Sequence, residues 1–139
     1  MKILYRILLL ATVFTSAANA AESSLNIQAV SAAEINNFRA PESDVVSTGQ
    51  PTADQFKIMA DLGVKHVINL RTPGEDAGFD EKVAVESLGM SYHNIPVSVG
   101  DGGINADNAQ SLQKLLDEFG GDGVVVHCAT GNRVGALIS

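Results

Sequence analysis

Two apolar segments rich in β-branched residues constrain the fold of this chain most strongly. Residues 64–70 have the sequence VKHVINL, and residues 124–126 have the sequence VVV. Both are too apolar for strands that face water on one side, and this is typical of parallel strands covered by helices on both faces. The sequence therefore predicts an α/β fold in which helices flank a central parallel sheet.

Helical patterns separate the predicted strands. Thr52 and Gln55 have the spacing of a capping box, before a helix that ends at Gly63. Residues 80–88 predict a second helix, although its apolar face is poorly defined. Asn105 is placed to cap a third helix, whose apolar residues recur at helical spacing: Leu112, Leu115, Leu116 and Phe119. Strands that alternate with helices in this way predict right-handed βαβ crossovers.

The loops after the predicted strands meet at one edge of such a sheet. Residues 45–48 are predicted to form a short edge strand, and residues 92–97 a further strand. Loops that begin at Arg71, Ser98 and Cys128 then follow the carboxyl ends of strands, where parallel sheets bind their ligands. We therefore expect the functional site at this edge.

Residues 1–20 have the pattern of an export signal. Lys2 and Arg6 precede an apolar run at residues 7–14, and the segment ANA at residues 18–20 is a small-residue cleavage site. The apolar run is shorter than the roughly 20 residues that span a bilayer. We expect signal cleavage and a periplasmic or secreted protein without a membrane span.

The remaining chain is predicted to form one domain. Residues 21–44 have weak periodicity and are expected to be a loosely attached lead-in, and residues 45–139 to form the folded domain. Little sequence follows Arg133, whereas globular helices average about 11–12 residues. We therefore expect the final helix to be cut short.

Charge and cysteine content restrict the function. The sequence has 16 acidic and 9 basic residues, for a net charge of −7, and the predicted signal contains only basic charges. Nucleic acid is therefore an unsuitable partner. Because Cys128 is the single cysteine, it has no internal disulfide partner. His66 and His93 lie in predicted strands without the spacing of metal ligands, so we expect them to be packed or surface residues.

Residues 127–133, with the sequence HCATGNR, are the strongest candidate site. A loop between a buried strand and a helix turns successive backbone N–H groups inward and can bind an anion. A thiol held there, that of Cys128, is expected to ionise readily. Arg133 offers a planar fork for two oxygens of a tetrahedral anion, and Gly131 permits a positive φ. Arg71 and Glu75 form either a bracing ion pair or two solvated charges.

These residues resemble the signature of the cysteine-dependent protein tyrosine and dual-specificity phosphatases. The longer pattern STGQPTADQF, LGVKHVINLRTPGE, YHNIPV and HCATGNRVGAL is most similar to their bacterial branch, the beta-lactamase-hydrolase-like phosphatase-like domains. The four segments agree in order from about Val45 to the end of the chain, and the resemblance therefore implies that residues 45–139 form a phosphatase-like catalytic domain. The resemblance implies hydrolysis of phosphotyrosine, phosphoserine or a small phosphorylated metabolite, without a metal or another cofactor.

The resemblance also implies a role for each site residue. Cys128 is the implied nucleophile, His127 tunes and orients its thiol, and Asp101 is the general acid. Asp107 is the nearby rival for that acid, but a position in the first turn of a helix, where the helix dipole stabilises a carboxylate, explains it better. The phosphate oxygens are held by a set comprising Ala129, Thr130, Gly131, Asn132 and Arg133.

Two departures from the phosphatase pattern keep alternatives open. Four residues, rather than the common five, separate Cys128 from Arg133, and this interval also resembles the loop of rhodaneses, which transfer sulfur as a cysteine persulfide. Val134 stands where many phosphatases have Ser or Thr. A sulfurtransferase and a non-catalytic oxyanion-binding module are therefore the second and third hypotheses. The sequence leaves the oligomeric state open.

Overall fold

The computed structural model describes residues 25–119 and 121–139; the predicted signal peptide, residues 1–20, lies outside the described residues. The helices and strands follow one another along the chain as α1 (Ile27–Ser31), β1 (Arg39–Glu42), β2 (Val45–Thr48), α2 (Ala53–Asp61), β3 (His66–Asn69), α3 (Glu81–Ser87), β4 (Ser91–Asn94), α4 (Ala106–Phe119), β5 (Val124–His127) and α5 (Asn132–Ile138). No helix in this part of the chain combines the length and the apolar character needed to cross a membrane.

The five strands form one sheet in the order β1-β2-β5-β3-β4. β5 lies at its centre and pairs in parallel with β2 and with β3, and β3 pairs in parallel with β4. Only β1 runs antiparallel, beside β2. The predicted α/β class with a mostly parallel central sheet is confirmed.

Alternating side chains of the central strands supply two cores, one on each face of the sheet. Val125 packs in one core with residues of α2 and α3, whereas Val124 and Val126 pack in the other with residues of α4 and α5. β3 divides in the same way between Val67 and Ile68. Because successive strand residues point to opposite faces, a strand covered on both sides must be apolar throughout, as these segments are.

The predicted helix boundaries agree with the observed caps. Thr52 and Gln55 form both hydrogen bonds of the capping box at the start of α2. Asp80 caps α3 by accepting the N–H of Val83 at 3.1 Å. Asn105 caps α4 by accepting the N–H of Asn108 at 2.8 Å. The second and third predicted helices are thereby confirmed at their first residues.

Two predictions about the N-terminal part are wrong. β2 is an interior strand with four buried residues, and the edge is formed by β1, whose four residues are all exposed. The described lead-in is firmly attached, because Leu25, Val30 and Ile35 are buried in the core beside α2. These three residues pack the segment against the core, but they are too few and too irregularly spaced to form a periodic apolar pattern in the sequence.

Strand β4 is shorter than predicted. It ends at Asn94, so Pro96 lies outside the paired residues. Ile95 and Val97 nevertheless remain buried, and their N–H groups donate to the carbonyls of Asn69 and Leu70 at 2.9 Å. Apolar content alone does not distinguish these loop residues from strand residues.

Candidate active site

Cys128 lies at the carboxyl end of the central strand, immediately after β5. Its side chain is buried, with 1% of the residue exposed, and its Sγ accepts the backbone N–H of Gly131 at 3.0 Å. The loop then passes into α5 at Asn132. The predicted strand, loop and helix therefore place the thiol against a backbone donor.

The loop after Cys128 is held by hydrogen bonds to its outward-facing carbonyls. The carbonyl of Ala129 accepts the N–H of Gln50 at 3.0 Å, and that of Thr130 accepts the Nδ2 amide of Asn37 at 2.7 Å. A trans peptide points its C=O and N–H in opposite directions, so outward carbonyls turn the following N–H groups inward. This explains why the N–H of Gly131 meets the sulfur.

Gly131 is required by this conformation. Its φ is 87°, and a Cβ built at this position would lie 2.7 Å from Nδ2 of Asn37. Any other residue would combine an unfavourable left-handed backbone with a steric clash.

Arg133 is held in one orientation by Glu75. Its Nη1 and Nη2 donate to the two carboxylate oxygens of Glu75 at 2.7 and 2.6 Å, and Nη1 also donates to the carbonyl of Val97 at 2.9 Å. Hydrogen bonds from Arg133 lower the pKa of Glu75 to about 2, and the same bonds raise the pKa of Arg133 above its usual value. The negative charge of a Cys128 thiolate raises the pKa of Arg133 further.

Arg71 and Glu75 come together as the ion-pair hypothesis requires. Nε of Arg71 lies 3.5 Å from Oε1 of Glu75, and Nη2 donates to the carbonyl of Asp76 at 3.0 Å. The N–H and hydroxyl of Thr72 donate to Oε2 of Glu75 at 2.7 and 3.0 Å. Glu75 thus joins the loop after β3 to the guanidinium of Arg133.

Asp101 is not brought into contact with the other predicted site residues. It is exposed in the loop between β4 and α4, and among the described residues no hydrogen bond or ion pair joins it to Cys128 or Arg133. The loop is tied to the site at its beginning, where the carbonyl of Val97 accepts Arg133. The acid role of Asp101 stays a prediction. Asp107 lies in the first turn of α4.

Val134 points into the core. It is fully buried in the same apolar cluster as Cys128, Leu112 and Val126. A hydroxyl-bearing residue there would enter an apolar environment, and this accounts for valine at a position where many phosphatases have Ser or Thr.

His66 is the first residue of β3, at the end of the sheet opposite Cys128, and His93 lies in the edge strand β4, paired with Ile68. His66 stacks on Phe119 with ring centroids 3.9 Å apart, and Ser91 lies between the two histidines at 2.6 and 3.2 Å. Desolvation lowers the pKa of His66. Within residues 25–119 and 121–139, no group of three or more His, Cys, Asp or Glu residues is arranged to hold a metal ion.

A buried carboxylate behind Cys128 was not predicted from the sequence. Oε1 of Glu81 lies 2.7 Å from Nε2 of His127, and both residues are buried. Gln50 and Asn69 also contact this carboxylate. One sequence feature could have indicated this buried carboxylate. The apolar face of α3 is poorly defined in the sequence, because the inward-facing Glu81 interrupts it.

An open cleft of about 520 Å³ borders the site on its Glu75 side. Its lining comes mainly from the loop after β3 and from the ends of β3 and β4, and includes Arg71, Glu75, Tyr92 and Asn94. None of residues 127–133 lines it. The cleft therefore lies beside Arg71 and Glu75 and does not surround the thiol.

Part of the chain is similar in sequence to curated beta-lactamase hydrolase-like proteins. No protein-family model matches the chain. It is 37% identical over 90 residues to the beta-lactamase hydrolase-like protein of Xylella fastidiosa (strain Temecula1), and the match covers 62% of this chain and 20% of that protein. The chain thus spans about a fifth of the length of the curated relatives it matches.

Solved structures share the fold. A candidate phosphatase (DUF442) from Shewanella putrefaciens is 26% identical, with a TM-score of 0.69, covering 80% of this chain and 72% of the other. The core catalytic domain of the PP-IP phosphatase SIW14 from S. cerevisiae is 19% identical, with a TM-score of 0.64, covering 75% of this chain and 63% of the other; it supports the fold alone. These comparisons do not favour a sulfurtransferase or a binding-only module. The resemblance is confirmed: the chain is similar to beta-lactamase hydrolase-like proteins, and it has a phosphatase-like fold.

Proposed function

We propose that this protein is a cysteine-dependent phosphatase that hydrolyses phosphate monoesters through a phosphocysteine intermediate. The observation that carries the proposal is the placement of the Cys128 sulfur against the N–H of Gly131, in the same short loop that leads to the fixed guanidinium of Arg133. A nucleophile and the groups that stabilise a phosphoryl anion are the two requirements of such a reaction.

In the first step the thiolate of Cys128 attacks phosphorus. The S–P bond forms as the ester P–O bond breaks, and Asp101 gives its proton to the leaving oxygen. In the second step Asp101 takes a proton from water, the water oxygen bonds to phosphorus, and the S–P bond breaks. The products are inorganic phosphate and the regenerated thiolate.

Arg133 retains donors for the phosphoryl oxygens. A guanidinium has five N–H groups. Glu75 and the carbonyl of Val97 occupy both N–H groups of Nη1 and one of Nη2. The Nε–H and the second N–H of Nη2 are therefore available for two oxygens of the transferring group, together with backbone N–H groups of residues 129–132.

Purified protein tests this function with para-nitrophenyl phosphate and a phosphotyrosine peptide. We expect hydrolysis of the aryl phosphate, inhibition by vanadate and loss of activity in Cys128→Ser. Hydrolysis that persists in Cys128→Ser would exclude the mechanism. Formation of thiocyanate from thiosulfate and cyanide, with aryl phosphate untouched, would instead support the sulfurtransferase.

A matched pair of variants tests the acid. Asp101→Asn is expected to lower turnover by about 10²-fold or more for an alkyl phosphate, and by less for a nitrophenyl ester, because a good leaving group needs little protonation. Asp107→Asn makes the same change in the first turn of α4 and is expected to leave turnover unchanged. The opposite result would assign the acid to Asp107.

We also propose that the protein is exported, on the basic, apolar and small-residue pattern of residues 1–20. Expression of the full chain in a Gram-negative host, followed by fractionation and N-terminal sequencing, tests this. A mature N-terminus at Ala21 in the periplasmic fraction or the medium is expected, and an uncleaved cytoplasmic chain would contradict it.

A further inference from the structure

The peptide unit between Thr130 and Gly131 is held by a hydrogen bond at each end. Its carbonyl, that of Thr130, accepts the Nδ2 amide of Asn37 at 2.7 Å, and its N–H, that of Gly131, donates to Sγ of Cys128 at 3.0 Å. The C=O and N–H of a trans peptide point in opposite directions. One rigid plane therefore links the Asn37 contact on the outer side of the loop to the donor that faces the thiol.

The backbone of Gly131 does not fix this orientation by itself. Its φ of 87° and ψ of −11° are those of the third residue of a type II turn, and a type I turn differs by reversal of the central peptide. Glycine adopts positive and negative φ about equally readily. A reversed peptide would point the carbonyl oxygen of Thr130 at the sulfur, so the site requires a contact that selects one orientation.

The carbonyl of Thr130 depends on a side chain for this contact, whereas the carbonyl before it is held by backbone. The carbonyl of Ala129 accepts the N–H of Gln50, two residues beyond the end of β2, at 3.0 Å. Among the described residues, Asn37 supplies the one hydrogen bond to the carbonyl of Thr130. The orientation of the peptide is therefore open to test by substitution of a single residue.

Asn37 reaches the loop from a fixed backbone. On one side of it, the carbonyl of Asn36 accepts the N–H of Gly49 at 2.7 Å, and on the other side Phe38 packs against the core. Asn37 has a φ of 51°, a left-handed conformation that asparagine adopts more readily than most residues. Its Nδ2 would lie 2.7 Å from a Cβ at Gly131, so the amide group covers that glycine.

We propose that Asn37 is a positioning residue that holds the peptide between Thr130 and Gly131 with its N–H toward the Cys128 sulfur and the transferring phosphoryl group. Among the described residues, no hydrogen bond joins Asn37 to Cys128 or Arg133, so it acts through the loop. The inference rests on the proposed function, in which backbone N–H groups of this loop stabilise the phosphoryl oxygens.

Steady-state kinetics of Asn37→Gly test this inference. Glycine adopts the left-handed backbone without strain, so the variant removes the side-chain donor and leaves the conformation of the chain accessible. We expect kcat/KM for para-nitrophenyl phosphate to fall about tenfold or more, since the loss of one oxyanion donor costs about 10²–10³ and here the donor is only freed to turn away. The inhibition constant of vanadate should rise with it, because the variant binds the transition state less well.

Asn36→Gly is the matched control. It makes the same change at the neighbouring residue and adds the same freedom to the chain, while its backbone carbonyl still accepts the N–H of Gly49. Both kcat/KM and the inhibition constant of vanadate should stay at the wild-type values. An equal loss in Asn36→Gly would assign the effect to a loosened segment and overturn the inference.

Nuclear magnetic resonance measures the orientation of the peptide without turnover. In the wild type, a coupling across the hydrogen bond is expected between the side-chain nitrogen of Asn37 and the carbonyl carbon of Thr130. The amide resonance of Gly131 should shift in Asn37→Gly and stay in place in Asn36→Gly. Should Asn37→Gly fail to fold, Asn37→Asp replaces it, because aspartate keeps the size and the backbone tolerance but presents an acceptor to the carbonyl.

Folded Asn37→Gly or Asn37→Asp with wild-type kinetics and an unshifted Gly131 amide would overturn the inference and leave the phosphatase proposal standing. Absence of the coupling in the wild type would overturn it as well. Absence of turnover in the wild type, with the coupling present and the Gly131 amide shifted in the variant, would instead overturn the proposed function.

Discussion

At the scale of single residues, Glu75 connects the charged groups of the site. It accepts two hydrogen bonds from Arg133, two from Thr72 and lies beside Arg71. A carboxylate surrounded by donors of this kind is stabilised in its ionised form. The orientation of Arg133, and with it the direction of the proposed phosphate donors, therefore depends on one acidic side chain.

Glu75→Gln is expected to lower stability most at neutral pH. The folded protein holds the pKa of Glu75 at about 2, below its ordinary value of 4.5, so the ion pair contributes fully above pH 4.5 and is lost as pH falls through about 2. After allowance for partial exposure we expect a cost of about 2 kcal/mol at pH 7. Urea unfolding of both proteins between pH 7 and pH 2 measures it.

The difference between wild type and Glu75→Gln should shrink as the pH is lowered through this range. Glu118→Gln, an exposed position on α4, controls for the removal of one negative charge. A difference that is independent of pH would show that the pair with Arg133 does not stabilise the fold.

At the scale of elements, α5 depends on how the chain enters it. Gly131, immediately before the helix, has a positive φ and bonds the sulfur, whereas Gly135 lies in the exposed middle of the helix with no atom near a Cβ at that position. The two glycines therefore differ in what their missing side chains permit.

Gly131→Ala and Gly135→Ala are expected to have opposite effects. The first should cost about 2 kcal/mol and abolish aryl phosphate hydrolysis, because the left-handed backbone and the contact with Asn37 forbid a Cβ. The second should add about 0.5–1 kcal/mol, since alanine is the better helix former, and keep the activity. Denaturant unfolding and turnover measure both, and a gain in stability from Gly131→Ala would refute the loop geometry.

The sequence predicts some helices and strands well and others poorly. The N-caps and apolar periods of α2 and α4 are local, so both helices follow directly from neighbouring residues. β1 has no such pattern, because all four of its residues are exposed and it is a strand only by pairing with β2. Strand pairing is a tertiary contact and leaves little trace in an edge strand.

At the scale of the whole molecule, the segment before β2 completes both the core and the site. Leu25, Val30 and Ile35 pack beside α2, and Asn37 donates to the carbonyl of Thr130, 93 positions further along the chain. The segment before β2 therefore helps to hold the loop that contains Cys128, which lies near the other end of the described chain.

Ile35→Ala is expected to destabilise the whole domain by about 3 kcal/mol, because a buried isoleucine side chain leaves a cavity. Ile58→Ala makes the same change at a side chain that is 41% exposed, and should stay within about 0.5 kcal/mol of wild type. Thermal or urea unfolding compares the two. Equal small effects would mean that the segment is loosely attached after all.

The amino-acid sequence by itself determines the α/β class, the edge of the sheet that carries the site, and the Cys128 to Arg133 loop. These follow from periodicity, caps and glycines, which act over a few neighbouring residues. Tertiary structure alone decides that Glu75 orients Arg133, that Glu81 lies beside His127, and that β1 forms an edge of the sheet. Each of these contacts joins residues distant in the chain, and its energy depends on burial and on partners that no local pattern encodes.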